Sequence, residues 1–179
     1  MKLMMSTTEL EQPFLCQNVR TELLHALLDA VKSGLSMCNA STQWVGLATV
    51  PTHNIGIVTG IIGVHGNASG FVTVNMAERF AIKAVEGMLQ EPQEKLNPTV
   101  IDGVGEITNL LAGGVKAALA GTPWGFTHIT APSVIVGTGS EIAFAKGLTY
   151  LCATFEHQDP EAVLMADRLL QISVSLLPA

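Results

Sequence analysis

Four residues near the middle of the chain stand out because their types and spacing could form a recognition face. On a helical wheel of about 100° per residue, Glu106 and Asn109 fall within about 40° of Asp102. Gly113 falls at about 20° on the same wheel. This edge therefore holds two carboxylates, an amide and a glycine, without a nucleophile or a cation that could bind phosphate. A glycine beside an exposed carboxylate and amide lets another backbone approach closely, which indicates a docking face.

The same residues lower the stability of the helix that contains them. Asp102 and Glu106 are like charges four residues apart, which costs roughly a few tenths of a kcal/mol. Gly113 inside a helix costs about 1 kcal/mol relative to alanine. A docking face would account for both costs, whereas polar residues on the outside of a helix are usually only solvated. From the residues alone, docking and solvation both remain open.

The helix itself has clear ends in the sequence. Asn97 is a natural N-cap, and Pro98 stands at the first helical position, where its missing N–H is not needed. The helical pattern continues to about Ala120, and Gly121-Thr122-Pro123 ends it. The residues predicted to face the core lie on the opposite side of the wheel: Val104, Ile107, Leu111, Val115 and Ala118.

Further helices and strands must position this helix. Helical spacing predicts two more helices, over 18–36 and 76–89. Segments rich in β-branched residues predict six strands: 44–50, 55–64, 71–74, 126–136, 142–155 and 168–177. A hairpin turn is predicted at 65–70 and another turn at 137–140. The order predicts an α+β fold, a single domain with long helices packed on a largely antiparallel β-sheet. Residues 1–17 are expected to form a flexible N-terminal segment, and residues 18–179 the domain.

Composition narrows the class of protein. Apolar residues make up 48% of the chain and charged residues 13%, a balance typical of a large buried sheet and not of disorder. The net charge of -6 and the lack of a basic run argue against a nucleic-acid partner. Residues 33–77 contain no charged side chain, but polar residues and glycines interrupt them before about 20 apolar residues accumulate, so no membrane span is expected. The first residues lack the apolar core of a signal peptide, and the three cysteines have no metal-ligand spacing, so a cytoplasmic protein is expected.

The stripe resembles the motif of the CheC/CheX/FliY phosphatases of bacterial chemotaxis. That motif (Asp or Ser, three residues, Glu, two residues, Asn, then 22 residues and Pro) is matched here by Asp102, Glu106, Asn109 and Pro132. The run Leu110–Gly114 is similar to the family's small residues after the Asn, and the element order fits from about residue 18 onward. CheC and FliY proteins contain a second copy of the motif. The second predicted helix here has none, and a single site is the CheX pattern.

This resemblance implies a protein aspartyl-phosphate phosphatase that acts on a CheY-like receiver domain. Asn109 would orient the attacking water, and Glu106 would dock to the receiver's lysine. The receiver already supplies Mg²⁺ and lacks only a water held in line with the P–O bond, so no cofactor of the protein's own is implied. Asp102 would support Glu106 or touch the receiver, and Pro132 would shape the strand beside the helix. The helical wheel, and not the motif, predicts that Gly113 belongs to the docking surface. The likeness and the low charge fraction also predict a homodimer.

Other chemistries find less support in the sequence. The five histidines are scattered, without His-x-x-x-His or Cys-x-x-Cys, so no metal site is expected. Gly137-Thr138-Gly139 lacks a following Gly-Lys-Ser/Thr and indicates a turn, and Ser133 and Ser140 lack a nucleophile-elbow setting. The main alternative is a non-catalytic adaptor of the same fold, which binds a receiver or a flagellar or signalling partner without hydrolysis. A small-molecule sensor is a third possibility, for which no polar pocket is evident.

Overall fold

Three helices and seven strands occupy the residues that the computed structural model describes, namely 21–51, 53–138, 142 and 147–179. The helices are α1 (Thr21–Ser36), α2 (Glu78–Leu89) and α3 (Pro98–Ala118). The strands are β1 (Thr42–Ala48), β2 (Val58–Gly66), β3 (Ala68–Met76), β4 (Phe126–Ile129), β5 (Ser133–Val136), β6 (Thr149–His157) and β7 (Leu169–Pro178). A 3-10 helix over Met165–Arg168 leads into β7. The predicted flexible segment 1–17, and the predicted start of the first helix at 18–20, lie outside the described residues.

The strands form one antiparallel sheet. Its order is β1-β6-β7-β3-β2-β4, and β5 also pairs with β2. The predicted hairpin is confirmed, since β2 and β3 pair from Val58 opposite Met76 to Val64 opposite Gly70. The last strand pairs along its length with both β3 and β6. The predicted α+β fold, with helices on a largely antiparallel sheet, is confirmed.

The segment predicted as one strand over 126–136 is two strands, so that prediction was wrong. Both β4 and β5 pair with β2, but Thr130–Pro132 lie between them. The Thr130 hydroxyl accepts a hydrogen bond from the Gly63 N–H at 3.0 Å, where a ladder would use a backbone carbonyl. Pro132 has no N–H to offer a ladder. Strand pairing with β2 therefore stops after Ile129 and resumes at Ser133.

The remaining strand boundaries also shift by a few residues, and two of these shifts are informative. The strand predicted over 142–155 begins at Thr149, after Gly147, which has a φ of +92° and so stands in a turn conformation. Residues 139–141 and 143–146, within the predicted turn and strand, lie outside the described part of the chain. Arg168, predicted in the last strand, belongs to the 3-10 helix instead.

The core lies between the helices and one face of the sheet. From α3, Val104, Ile107, Leu111 and Val115 are all buried, as predicted. Ala118 is exposed, so its predicted place in the core was wrong. The helix ends at this residue, and Leu119, which is 1% exposed, contacts the core in its place.

An ion pair ties α2 to the segment that follows β6. Arg79 donates from Nε to the Asp159 carboxylate at 2.7 Å and from a terminal nitrogen to Glu161 at 3.2 Å. The Glu161 N–H also donates to Asp159 at 2.9 Å. The hydrogen bond from Arg79, followed by that backbone N–H, lowers the pKa of Asp159 below its ordinary value. This contact ties the first turn of α2 to the segment after β6.

Candidate active site

The helix that contains the predicted stripe is fixed at its first turn by side-chain capping. The Asn97 side chain accepts a hydrogen bond from the Val100 N–H at 2.9 Å, which satisfies one of the orphan donors of the first turn. The same side chain donates to Gln93 Oε1 at 3.2 Å, which links the cap to the preceding loop. Pro98 is the first helical residue. The start of α3 is therefore where its local sequence predicts it.

The stripe is exposed along the outer side of α3. Asp102, Glu106 and Asn109 are exposed, and Gly113 is half-buried. The three polar side chains make no hydrogen bond or ion pair with any residue that the structure describes. Asp102 and Glu106 share the face without bonding to each other. A carboxylate and an amide one turn apart are thus available to a partner molecule.

The opposite side of α3 packs closely on β2. Thr108, between Glu106 and Asn109, is fully buried, and its hydroxyl donates to the Val104 carbonyl at 2.7 Å. A Cβ placed on Gly60 of β2 would lie 2.0 Å from that hydroxyl oxygen. Only a glycine at position 60 therefore lets the helix sit this close to the strand.

Pro132 lies beside the same stretch of α3. A Cβ placed on Gly105 would be 3.6 Å from the Pro132 ring and 3.8 Å from Val134, which are ordinary contact distances. Gly105 is buried and directly precedes Glu106. On the helical wheel it falls about 40° from Asn109. Pro132 therefore borders the Asn109 side of the stripe through its packing against the helix.

Among the glycines of α3, Gly113 has an unusual environment. A Cβ on Gly103 would meet Val85 of α2 at 2.6 Å, and one on Gly114 would meet Ala30 of α1 at 3.0 Å. Both glycines let a neighbouring helix approach. A Cβ on Gly113 would meet nothing within 4 Å. The fold of the described residues therefore gives no packing reason for the glycine at position 113.

Several positioning residues were missed by the sequence analysis. Thr108 and Gly60 form the closest approach between α3 and the sheet, and Gly105 faces Pro132. A glycine inside a strand signals close approach of another backbone, so Gly60 was open to detection. The contact of Gly60 with Thr108 could not be detected, because a helical wheel shows which face a residue occupies but not which strand packs against that face.

The cysteines and histidines of the described residues form no second reactive centre. Cys38 and Cys152 are unpaired, and burial raises the pKa of each to about 11, so both are protonated thiols at neutral pH. His65 and His128 are not scattered, as the sequence indicated, but face each other across β2 and β4. They supply fewer than the three ligands of a catalytic zinc site. Across the described residues, no three His, Cys, Asp or Glu side chains are grouped to hold a metal ion. None of the described helices has both the length and the apolar character to cross a membrane.

Solved structures share this fold over most of the chain. A CheC-like superfamily protein from Shewanella sp. PV-4 is 23% identical, with a TM-score of 0.73 over 89% of this chain and 99% of that one. The chemotaxis protein CheX from Vibrio vulnificus is 25% identical, with a TM-score of 0.70 over 88% and 98%. A chain of the CheX–CheY–BeF₃–Mg²⁺ complex from Borrelia burgdorferi is 21% identical, with a TM-score of 0.69 over 86% and 97%.

A family profile covers the part of the chain that contains the stripe. The profile described as chemotaxis phosphatase CheX matches residues 58–156, more than half of the chain. A comparison with curated proteins gave no significant match. The matched residues extend from the start of β2 to Glu156 in β6 and include α3 with the whole stripe. The profile match and the shared fold together show that this chain belongs to the CheX family of chemotaxis phosphatases.

Proposed function

We propose that the protein removes phosphate from the aspartyl phosphate of a CheY-like receiver domain, using Glu106 and Asn109. Family membership gives the class of enzyme. The observation that supports these two residues is their placement: an exposed carboxylate and an exposed amide lie one turn apart on a helix packed against β2. Neither side chain is engaged within the described part of the chain, so both are available to the receiver.

In this proposal Asn109 orients the attacking water. A side-chain amide both donates and accepts hydrogen bonds and does not titrate, so it can hold a water molecule at any physiological pH. The water attacks phosphorus in line with the scissile P–O bond. That bond breaks, inorganic phosphate leaves, and the receiver's aspartate is regenerated. Positioning is the contribution of Asn109, since the receiver supplies the electrostatic part of the site.

Glu106 fixes the docking by pairing with the receiver's lysine. Asp102 lies one turn before it and makes no hydrogen bond to it, which favours contact of Asp102 with the receiver over support of Glu106. Gly113 belongs to the docking surface, and Pro132 positions α3 through its packing beside Gly105. In these roles Glu106, Asp102 and Gly113 contact the same side of the receiver, and Pro132 supports the helix behind them.

In this reaction the receiver supplies the Mg²⁺, and the protein acts in the cytoplasm. The Borrelia burgdorferi relative was crystallised as a complex that contains CheY, BeF₃ and Mg²⁺. Among the described residues, Cys38 and Cys152 are free thiols, which fits a reducing compartment.

We also infer a homodimer. Within the described residues β1 pairs with β6 on one side, which leaves its other edge to a second chain. Trp44 and Val45 on this strand are 42% and 41% exposed. An exposed apolar edge strand is a common site of pairing between chains.

The test is dephosphorylation of a phosphorylated receiver by the purified protein and two variants. The host's CheY-like receivers, loaded with Mg²⁺ and phosphorylated by acetyl phosphate, are the substrates. We expect Asn109→Ala to lower kcat by at least tenfold, about 1.4 kcal/mol of transition-state stabilisation, with KM little changed. We expect Glu106→Ala to lower kcat and raise KM. Gln158→Ala, which removes an exposed amide in the segment after β6, is the matched control.

Three results would overturn the proposal. Wild-type kcat from Asn109→Ala at saturating receiver would remove its assigned role. Tight binding to a phosphorylated receiver without faster phosphate loss would identify this chain as an adaptor. Rapid hydrolysis of p-nitrophenyl phosphate without a receiver would show a site different from the one proposed.

A further inference from the structure

A groove continues the stripe beyond Asn109 toward the end of α3. It lies between the last turns of α3 and strand β4 and has a volume of about 530 Å³. One side is formed by Gly113, Lys116 and Ala117 of α3 and by Ala120, which follows the end of the helix. Phe126 and Ile129 form part of the sheet side. Gly113 belongs both to the stripe and to the groove, so the two surfaces are continuous.

The geometry of α3 places the groove on the side that the receiver would approach. On the wheel of about 100° per residue, Ala117 falls about 60° from Asp102, and Lys116 falls about 20° from Asn109. From Asp102 to Ala118, where α3 ends, the helix rises about 24 Å, at about 1.5 Å per residue. A partner that reaches Asn109 therefore meets the groove when it lies along the helix.

The size of an ordinary interface requires such an extension. A specific protein interface of standard size buries roughly 800 Å² on each partner, a patch about 30 Å across. Glu106 and Asn109 alone cover one turn of helix. Small residues along the next turns leave a depression in the protein surface. No packing contact within the described fold requires a glycine at position 113. The groove is thus shaped to admit side chains from outside.

We propose that this groove is a second docking site for the receiver domain, and that it accepts an apolar side chain flanked by a carboxylate. The apolar part follows from the lining, in which Phe126 and Ile129 of β4 lie alongside small helical residues. The carboxylate follows from Lys116, the one charged residue among those that line the groove. Lys116 makes no ion pair with any described residue. It would therefore select receivers by charge, whereas Glu106 and Asn109 act on the phosphorylated centre.

This inference rests on the proposed function, and it makes a separate prediction about KM. We expect Ala117→Gln, which fills the groove, to raise KM for the phosphorylated receiver by about tenfold or more and to leave kcat within about twofold. Ala118→Gln is the matched control, because Ala118 is the next residue and is exposed on the other side of the helix. It should change neither constant. Lys116→Glu should also raise KM, by a factor that shrinks in high salt because the contact is between charges.

The outcomes separate the two proposals. If Ala117→Gln and Lys116→Glu keep the wild-type KM while Asn109→Ala loses turnover, the groove is not a docking site and the proposed function stands. If Asn109→Ala keeps wild-type turnover, the proposed function itself fails. If Ala117→Gln leaves KM unchanged and lowers the mass measured by light scattering, the groove binds a second copy of this chain and the inference is wrong. Circular dichroism of each variant shows whether the fold is intact.

Discussion

Substitution of Gly113 distinguishes a docking face from a solvated one. A Cβ at this position meets nothing within 4 Å, so Gly113→Ala adds a methyl group without displacing a neighbour. The intrinsic difference between glycine and alanine inside a helix then applies in full, and the free energy of unfolding should rise by up to about 1 kcal/mol. In a protein of this size such a gain raises Tm by about 2–4 °C.

Two glycines on the same helix serve as controls for that magnitude. At Gly114 the new Cβ would lie 3.0 Å from the Ala30 backbone, so Gly114→Ala has to push α1 away. At Gly103 it would lie 2.6 Å from both methyl carbons of Val85 on α2. Both substitutions should lower Tm, because overpacking of a tight contact costs about 1–3 kcal/mol. A higher Tm for Gly113→Ala together with a lower Tm for Gly114→Ala and Gly103→Ala would confirm the packing environments of the three glycines.

Activity decides what the open position is for. If the receiver docks over Gly113, the alanine should raise KM for the Mg²⁺-loaded phosphorylated receiver while Tm rises, and Gly113→Gln should raise KM further. Both quantities come from the same purified samples, by thermal unfolding and by steady-state phosphate release. Wild-type kcat and KM from Gly113→Gln would refute the reasoning, since a long side chain would then sit in the supposed interface without effect.

Three further predictions concern the scaffold. Gly60→Ala places a Cβ 2.0 Å from Thr108 Oγ1, so it should displace α3 from β2 and lower both Tm and kcat, whereas Gly46→Ala, with its nearest neighbour at 3.5 Å, should leave kcat unchanged; equal kcat for the two variants would contradict this. The pKa of Asp159 is lowered in the fold, so its contribution to stability is complete above the ordinary aspartate pKa of about 3.9 and is lost as the pH falls through the lower folded pKa. Urea unfolding between pH 2 and 6 should therefore show a shallower acid loss for Asp159→Asn than for the wild type, and identical slopes would argue against the Arg79 contact. Light scattering should give about twice the chain mass of 18.9 kDa, and a single-chain mass across micromolar concentrations would count against the homodimer.

The parts of the fold that depend on neighbouring residues along the chain could be predicted. The start of α3 follows from Asn97 and Pro98, whose capping and fixed φ act within one turn. The exposed stripe follows from helical periodicity, which is a local property of the backbone. These features were available from the sequence because no distant contact decides them.

The parts that depend on distant contacts could not be predicted. At the break between β4 and β5, Thr130 forms hydrogen bonds with Gly63, which is 67 residues away along the chain. The predicted burial of Ala118 was wrong because it also depends on tertiary contacts. The end of α3 and the packing of Leu119 determine which residue contacts the core. The opposition of His65 and His128 likewise needed the pairing of β2 with β4. Periodicity assigns a face to each residue, but only the sheet order determines what lies against that face.

The packing of α3 bears on the chemistry because the proposed site works by position alone. Close approaches at Gly103, Thr108 and Gly114 bring α2, β2 and α1 against three points of the helix. Rotation of α3 about its axis would drive backbone or branched side chains into one another at these points. Glu106 and Asn109 therefore keep a fixed place relative to the core before a partner arrives. A water-positioning amide loses rate when it is displaced by about 1 Å, so a helix held on its buried sides and open on one suits this reaction better than a loop would.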